Sequence, residues 1–253
     1  MNFMRRERIA ELLKERGSIS LKELSSIFAD VSEMTLRRDL LWAEEQGIAV
    51  RIRGGAKYQP GVQNREPSYD VRAIENRMAK EKIARLAIPY IKYGGSIFLD
   101  SGTTTMALAK LLPDMNLSLL TSGPNIALEA SKKNIPDITL TGGSLNRSNL
   151  SLSGHVALNS VDGINIDTAF ITPSGYTADA GLTCGNYNEG EMKRLIISKA
   201  RTVIMLIDNS KIGKMLPFTF AHLEDADIVI TDMRPPEELM EKAAASGVTV
   251  VFE

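Results

Sequence analysis

Cysteine is nearly absent from this 253-residue chain, Cys184 being the only one. That excludes a disulfide framework and a thiolate metal centre. Histidine is almost as scarce. His155 and His222 stand far apart with no ligand spacing around either, so both read as structural or surface residues. No metal and no cofactor are expected. No apolar run reaches the length of a membrane span. The start, MNFMRRERIA, is charged and runs straight into a helical pattern, unlike a signal peptide. A cytoplasmic protein with no membrane partner is therefore expected, and Met4 serves as a start as well as Met1. Internal repeats and low-complexity tracts are missing too.

What is present suffices for two domains with substantial cores: 43% of residues are hydrophobic. The net charge of −1 divides unevenly. Residues 1–57 hold 11 Lys and Arg against 9 Asp and Glu, and the remainder holds 19 against 22. The asymmetry is mild and does not by itself show nucleic-acid binding. The placement says more, because Arg37, Arg38, Arg51, Arg53 and Lys57 crowd one short stretch.

That stretch runs from Ser18 to Ala56. Arg5 to Arg16 precedes it as a helix with Ile9, Leu12 and Leu13 inward, stopped by Gly17. Ser20 caps a second helix carrying Leu21, Leu24, Ile27 and Phe28, and Asp30 and Val31 break it. Ser32 caps a third, Glu33 to Gln46, which stops at Gly47. There Leu36, Leu40 and Ala43 share one face, and Met34, Arg37 and Arg38 point away from it. A buried stripe with paired arginines opposite suits a recognition helix in a DNA major groove. Val50-Arg51-Ile52-Arg53, ended by Gly54-Gly55, suits one strand of a wing along phosphates. A small helical domain with solvated arginines fits the same spacing.

Lys57 to Pro67, with Pro60 and Gly61, reads as a linker. The expected division is 1–57 for a winged helix-turn-helix, 58–70 for the linker and 71–253 for a second domain. One long helix from Val71 to Tyr90 is expected to open that domain, with Ile74, Met78, Ile83, Leu86 and Ala87 on it. Seven apolar runs follow, at 96–100, 117–121, 137–141, 168–172, 202–208, 227–232 and 248–252, alternating with helical segments. They predict a mostly parallel sheet covered on both faces.

Loops after such strands share one crevice. Asp100-Ser101-Gly102-Thr103-Thr104-Thr105 leads from a strand into a helix. It fits a phosphate cradle at a helix N-terminus, and equally an ordinary turn with Thr as cap. Thr121-Ser122-Gly123-Pro124-Asn125 and Thr141-Gly142-Gly143-Ser144 are weak signals alone, since these are the default turn residues. Lys211, in Asp208-Asn209-Ser210-Lys211, is placed to reach an anion or simply to be solvated.

VSEMTLRRDL, the EEQG and RIRGGA segments, and the order SGTTT, TSGPN, LTGGSL, DTAF, GLT, NE-x-E-x-K and D-x-S-K together resemble the DeoR family of bacterial sugar-metabolism repressors. The resemblance covers nearly the whole chain. It implies a winged helix-turn-helix followed by a Rossmann-like α/β sensor domain similar in fold to ribose-5-phosphate isomerase. It implies operator DNA and a phosphorylated sugar as partners, and a homo-oligomer, dimer or tetramer. Ser32, Met34, Thr35, Arg37, Arg38, Arg51 and Arg53 become the candidate DNA contacts. Ser101, Gly102, Thr103, Thr104 and Lys211 would hold the phosphate, with Thr121, Gly142, Gly143, Asp167 and Glu189 near the sugar. The alternative is an isomerase-like enzyme with an accessory DNA-binding domain. The isomerases carry a second aspartate three residues after the first, and here Phe170 follows Asp167 at that spacing. That argues for a binding pocket and against catalysis, so no enzyme activity is expected.

Overall fold

The computed structural model describes residues 2–45, 48–58 and 66–253. Gly47, and Pro60 and Gly61 of the expected linker, lie outside the described residues. The chain forms two compact units, Met1–Glu66 and Pro67–Glu253.

The first unit contains α1 (Asn2–Arg16), β1 (Ser18–Ser20), α2 (Leu21–Ile27), α3 (Glu33–Glu45), β2 (Ala49–Ile52) and β3 (Gly55–Tyr58). Gly17 ends α1 in a left-handed conformation at φ +72°. Ser20 starts α2 through a reciprocal cap. Its Oγ accepts the Glu23 N–H, and the Glu23 carboxylate accepts the Ser20 N–H at 2.7 Å. Such a cap contributes about 1 kcal/mol. Ile9, Leu12, Leu13, Leu24, Leu36, Leu40 and Ala43 form the core, as their spacing predicts. Asp39 is buried on the same side of α3 and takes Arg5 at 2.6 Å and Arg6 at 2.9 Å, tying α3 to α1.

The wing has one strand more than its sequence suggests. β1 pairs antiparallel with β3, which pairs antiparallel with β2. Gly55 permits this, since a Cβ there would stand 2.2 Å from the Ile19 carbonyl oxygen.

The second unit opens with α4 (Tyr69–Ile74) and α5 (Arg77–Ala87). The single helix expected from Val71 to Tyr90 is therefore wrong. Asn76 adopts the left-handed conformation at φ +51° and makes an elbow between two helices. A helical run of side chains conceals such a break, and Asn is among the few residues that tolerate it. Ile83 and Ala87 of α5 are buried, but Ile74 and Met78 are 81% and 84% exposed and do not join the core.

There follow β4 (Ser96–Leu99), α6 (Thr103–Leu111), β5 (Ser118–Thr121), α7 (Pro124–Ala130), β6 (Asp137–Leu140), β7 (Ser144–Asn146), β8 (Ser151–Ser153), α8 (His155–Ser160) and β9 (Ile166–Ile171). The chain ends with β10 (Gly175–Thr177), β11 (Gly181–Cys184), α9 (Tyr187–Lys199), β12 (Ala200–Leu206), β13 (Phe218–Ala221), β14 (Ile228–Ile230), α10 (Glu237–Ala245) and β15 (Thr249–Val251). The seven expected strands form one sheet in the order β15-β14-β12-β9-β4-β5-β6, with every pairing parallel. Successive residues of β12 face opposite sides. Val203 and Met205 meet α8, α9 and α10, while Ile204 and Leu206 meet α5, α6 and α7. Burial on both faces explains the unbroken apolar runs. A three-stranded antiparallel sheet, β10-β11-β13, and the hairpin β7-β8 were not expected.

Candidate functional site

The strand order reverses between β4 and β9, the switch point where open α/β sheets leave a crevice beyond the strand ends. Asp100 follows β4 there and Thr172 follows β9. The Asp100 carboxylate accepts the Thr172 N–H at 3.0 Å and its hydroxyl at 2.8 Å. Lys193 of α9 donates to Asp100 at 2.6 Å and to the Thr172 carbonyl at 2.6 Å. Glu189, one turn earlier, stands 3.0 Å from the same ammonium and accepts a bond from Asn149. Burial pushes the Asp100 carboxyl up, but the Lys193 charge beside it prevails and holds it below its ordinary value. Sequence reading placed Lys193 only in a motif and assigned it no role. Its signal was the Glu189–Lys193 spacing of four on one helix face.

The loop after Asp100 is built for close approach. A Cβ on Gly102 would stand 2.2 Å from the Thr172 hydroxyl, so only glycine fits. α6 then begins at Thr103 with no side-chain cap on its first turn. The Thr104 hydroxyl is buried and has no hydrogen-bond partner among the described residues, and the buried side-chain amide of Asn125, in the first turn of α7, has only the Tyr69 phenol beside it. An uncapped helix start with an unpaired buried hydroxyl nearby suits an anion or another polar ligand. Ser101, Gly102, Thr103 and Thr104 line this helix start.

The other expected residues divide. The Thr121 hydroxyl is committed to the fold, donating to the Leu99 carbonyl at 2.6 Å and accepting the Gly123 N–H at 3.0 Å. Gly142 and Gly143 both have positive φ. The close approach that Gly143 allows is to Ser153 and Ala157 of the protein itself. Lys211 is not solvated: its side chain is 14% exposed and lies 3.7 Å from Asp208. Asp167 is misplaced by the sequence reading. It stands at the start of β9, beside Ser96 at the start of β4, and accepts the Ser96 N–H at 2.9 Å. That is the opposite end of the sheet from the crevice. Phe170 is wholly buried in the sheet core.

In the first unit, the Ser32 and Thr35 hydroxyls bond to each other at 2.9 Å, and the Ser32 Oγ caps α3 by accepting the Thr35 N–H. Met34, Arg37 and Arg38 lie exposed, opposite the buried Leu36 and Leu40. Arg37 pairs with Glu33 at 2.6 Å, and Arg51 with Glu44 at 2.6 Å. Arg38 and Arg53 are exposed and pair with no carboxylate among the described residues.

Residues 5–60 match the family described as DeoR-like helix-turn-helix domain, and residues 75–233 match the DeoR C terminal sensor domain. Among curated proteins, the HTH-type transcriptional regulator GlpR of Haloferax volcanii is 34% identical, over 98% of this chain and 96% of its own. The glycerol-3-phosphate regulon repressor of Escherichia coli is 34% identical over 92% of each. The HTH-type transcriptional repressor GlcR of Bacillus subtilis is 32% identical over 96% and 93%. A solved ribose 5-phosphate isomerase A from Methanocaldococcus jannaschii aligns over 55% of each chain, at 18% identity and a TM-score of 0.40. A helix-turn-helix unit, an α/β unit built on a seven-stranded parallel sheet, the two family matches, and whole-length relatives named as transcriptional regulators place this chain in the DeoR family of transcriptional regulators.

Proposed function

We propose that this regulator represses a carbohydrate-metabolism operon, and that a phosphorylated sugar bound in the second unit controls its grip on the operator. Membership of the family makes it a DNA-binding regulator and not an enzyme. The finer reading rests above all on the uncapped α6 start beside the buried, unpaired Thr104 hydroxyl. Ser101, Gly102, Thr103, Thr104 and Lys211 are assigned to the phosphate. Gly142, Gly143 and Glu189 are assigned to the rim around the sugar, Glu189 already being engaged by Lys193. Thr121 serves by shaping its loop. Asp167 has no part.

On the DNA side, Arg38 is assigned to a base edge and Arg53 to a phosphate, with Met34, Arg37 and Arg51 beside them. Ser32 and Thr35 set the start of the reading helix. The working form is a homo-oligomer, with the linker between β3 and α4. The sugar phosphate acts by binding the DNA-competent and DNA-incompetent states with different affinity, since nothing else shifts such an equilibrium. A thermal-shift screen against phosphorylated sugars and their unphosphorylated parents tests this, because a ligand raises apparent stability by mass action. The phosphorylated member of one pair should stabilise the protein and change its operator affinity in a gel shift. Equal effects from both members would sink the phosphate reading.

A further inference from the structure

The parallel sheet ends in β15 on one side and β6 on the other. Along β6 the Asp137 and Thr141 N–H groups donate inward, to the Leu117 and Thr121 carbonyls on the β5 side. Backbone groups alternate along a strand, so Thr139 also turns inward, and Ile138 and Leu140 present N–H and C=O outward. No described strand pairs with that outer edge. Its side chains are uncovered as well: no residue of β6 is buried, and Leu140 is 42% exposed. Within the strand stand no lysine, no proline and no bulge, the usual guards of an open edge.

This edge is complementary to itself. Pro136 has no N–H, and Gly142 leaves the extended conformation at φ +66°, so the outward groups available are those of Ile138 and Leu140. One antiparallel two-fold register uses both. It sets Ile138 of one copy against Leu140 of the other, with the two Thr139 residues facing each other at the axis. Each Ile138–Leu140 pair then exchanges both of its N–H···O bonds. Apolar side chains meet on one face of the seam and threonines on the other, both favourable cross-strand pairs. Asp137 falls opposite Thr141, so like charges do not meet. The helices beside the edge fit the same reading. α7 covers one face, Ile126 and Ala130 packing with Ile138, and Leu128 on it is 71% exposed. α8 covers the other, tied by the Ser160 hydroxyl to the Thr141 carbonyl at 2.7 Å, and Val156 on it is 66% exposed.

We propose that a second copy of this chain pairs with β6 across a two-fold axis at Thr139, making one sheet continuous through both copies. The contact is isologous and closes at two copies, so it leaves no open edge to recruit a third. It deepens the homo-oligomer reading above and rests on it. Only β5 separates the seam from β4, so the two candidate ligand crevices would share one sheet.

Sedimentation of the full chain, with three variants, tests this. The wild type should sediment as an oligomer. Thr139→Cys adds one exposed thiol, Cys184 being buried. Cα atoms of such a non-hydrogen-bonded pair stand about 4.5 Å apart, within disulfide reach. Mild oxidation should therefore link the copies into a covalent dimer on a non-reducing gel. Position 137 is equally exposed, but the axis holds its two copies roughly 13 Å apart, so Asp137→Cys should not link. Leu140→Pro removes an outward donor and leaves the β5 ladder whole. It should halve the sedimenting mass. A monomeric wild type would overturn the homo-oligomer reading, and the pairing with it. An oligomeric wild type in which Thr139→Cys links no better than Asp137→Cys would overturn the pairing alone, even if Leu140→Pro failed to fold. A folded Leu140→Pro of unchanged mass would do the same.

Discussion

The Lys193 ammonium and the Asp100 carboxylate meet at 2.6 Å, both almost fully buried, and join the middle of α9 to the end of a central strand. Lys193→Met should destabilise the protein by about 3–5 kcal/mol, because it leaves Asp100 and Glu189 buried without a counter-charge. Asp100→Asn added to it should recover part of the loss. Urea unfolding of the two variants measures this.

The same pair sets a pH dependence. The Asp100 carboxyl is held below its ordinary value, so its contribution is present above the unfolded carboxylate pKa, about 3.9, and fades as pH falls through the folded value. Burial lowers the Lys193 pKa, but Asp100 and Glu189 raise it further, so the net shift is upward. Its contribution is present below the unfolded lysine value of about 10.4 and is lost only above that. Wild-type stability should show a plateau from this pair between those limits. The Lys193→Met defect should shrink in acid, where Asp100 can take a proton. A defect equal at pH 4 and pH 8 would show that packing, and not charge, is what Lys193 provides.

Asp167→Asn should leave every effector response unchanged. Asp167 serves the fold at the far end of the sheet, where the Ser96 N–H, then the Ser96 hydroxyl and Arg201, hold its carboxyl below the ordinary range. Tm should drop slightly near neutral pH and not at all in acid. A shifted response in a titration with the sugar phosphate would return Asp167 to the binding site.

Arg38→Ala should weaken operator binding by about 1–3 kcal/mol and relax the preference for one base. Arg53→Ala should lower affinity for all sequences and flatten the salt slope by about one. Arg37→Ala should cost less than Arg38→Ala, since Arg37 is shared with Glu33. Titrations at several salt concentrations separate these three outcomes.

Lys211→Met keeps the stem and removes the charge. It should cut affinity for the phosphorylated sugar by roughly 1.5–3 kcal/mol, the range for a hydrogen bond to a charged group. The unphosphorylated parent should bind wild type and variant almost equally poorly. Isothermal titration decides it, and equal losses for both sugars would mean that Lys211 supports the fold.

All seven sheet strands were legible because a strand buried on both faces needs an unbroken apolar run. The helix-turn-helix was legible because Ser20, Ser32 and the Leu36/Leu40 stripe each serve a local rule. The elbow at Asn76 was not, since a left-handed residue leaves the helical period on either side intact. The antiparallel strands Gly175–Thr177 and Gly181–Cys184 are too short for periodicity to register. Asp167 was misplaced for a different reason. Order along the chain was legible, but which end of its strand a residue occupies depends on register, and the Ser96–Asp167 bond fixes that only in the folded sheet. Lys193 was passed over because its partners, Asp100 and Thr172, arrive from strands far off in sequence.

The third strand of the wing has a mechanical consequence. Ser18–Ser20 leads directly into α2, and its three pairs with Gly55–Lys57 rivet the entrance of the helix pair to the hairpin. If α3 reads bases and the wing follows phosphates as proposed, the two meet an operator as one body, and sequences that present groove and phosphates at that spacing are favoured.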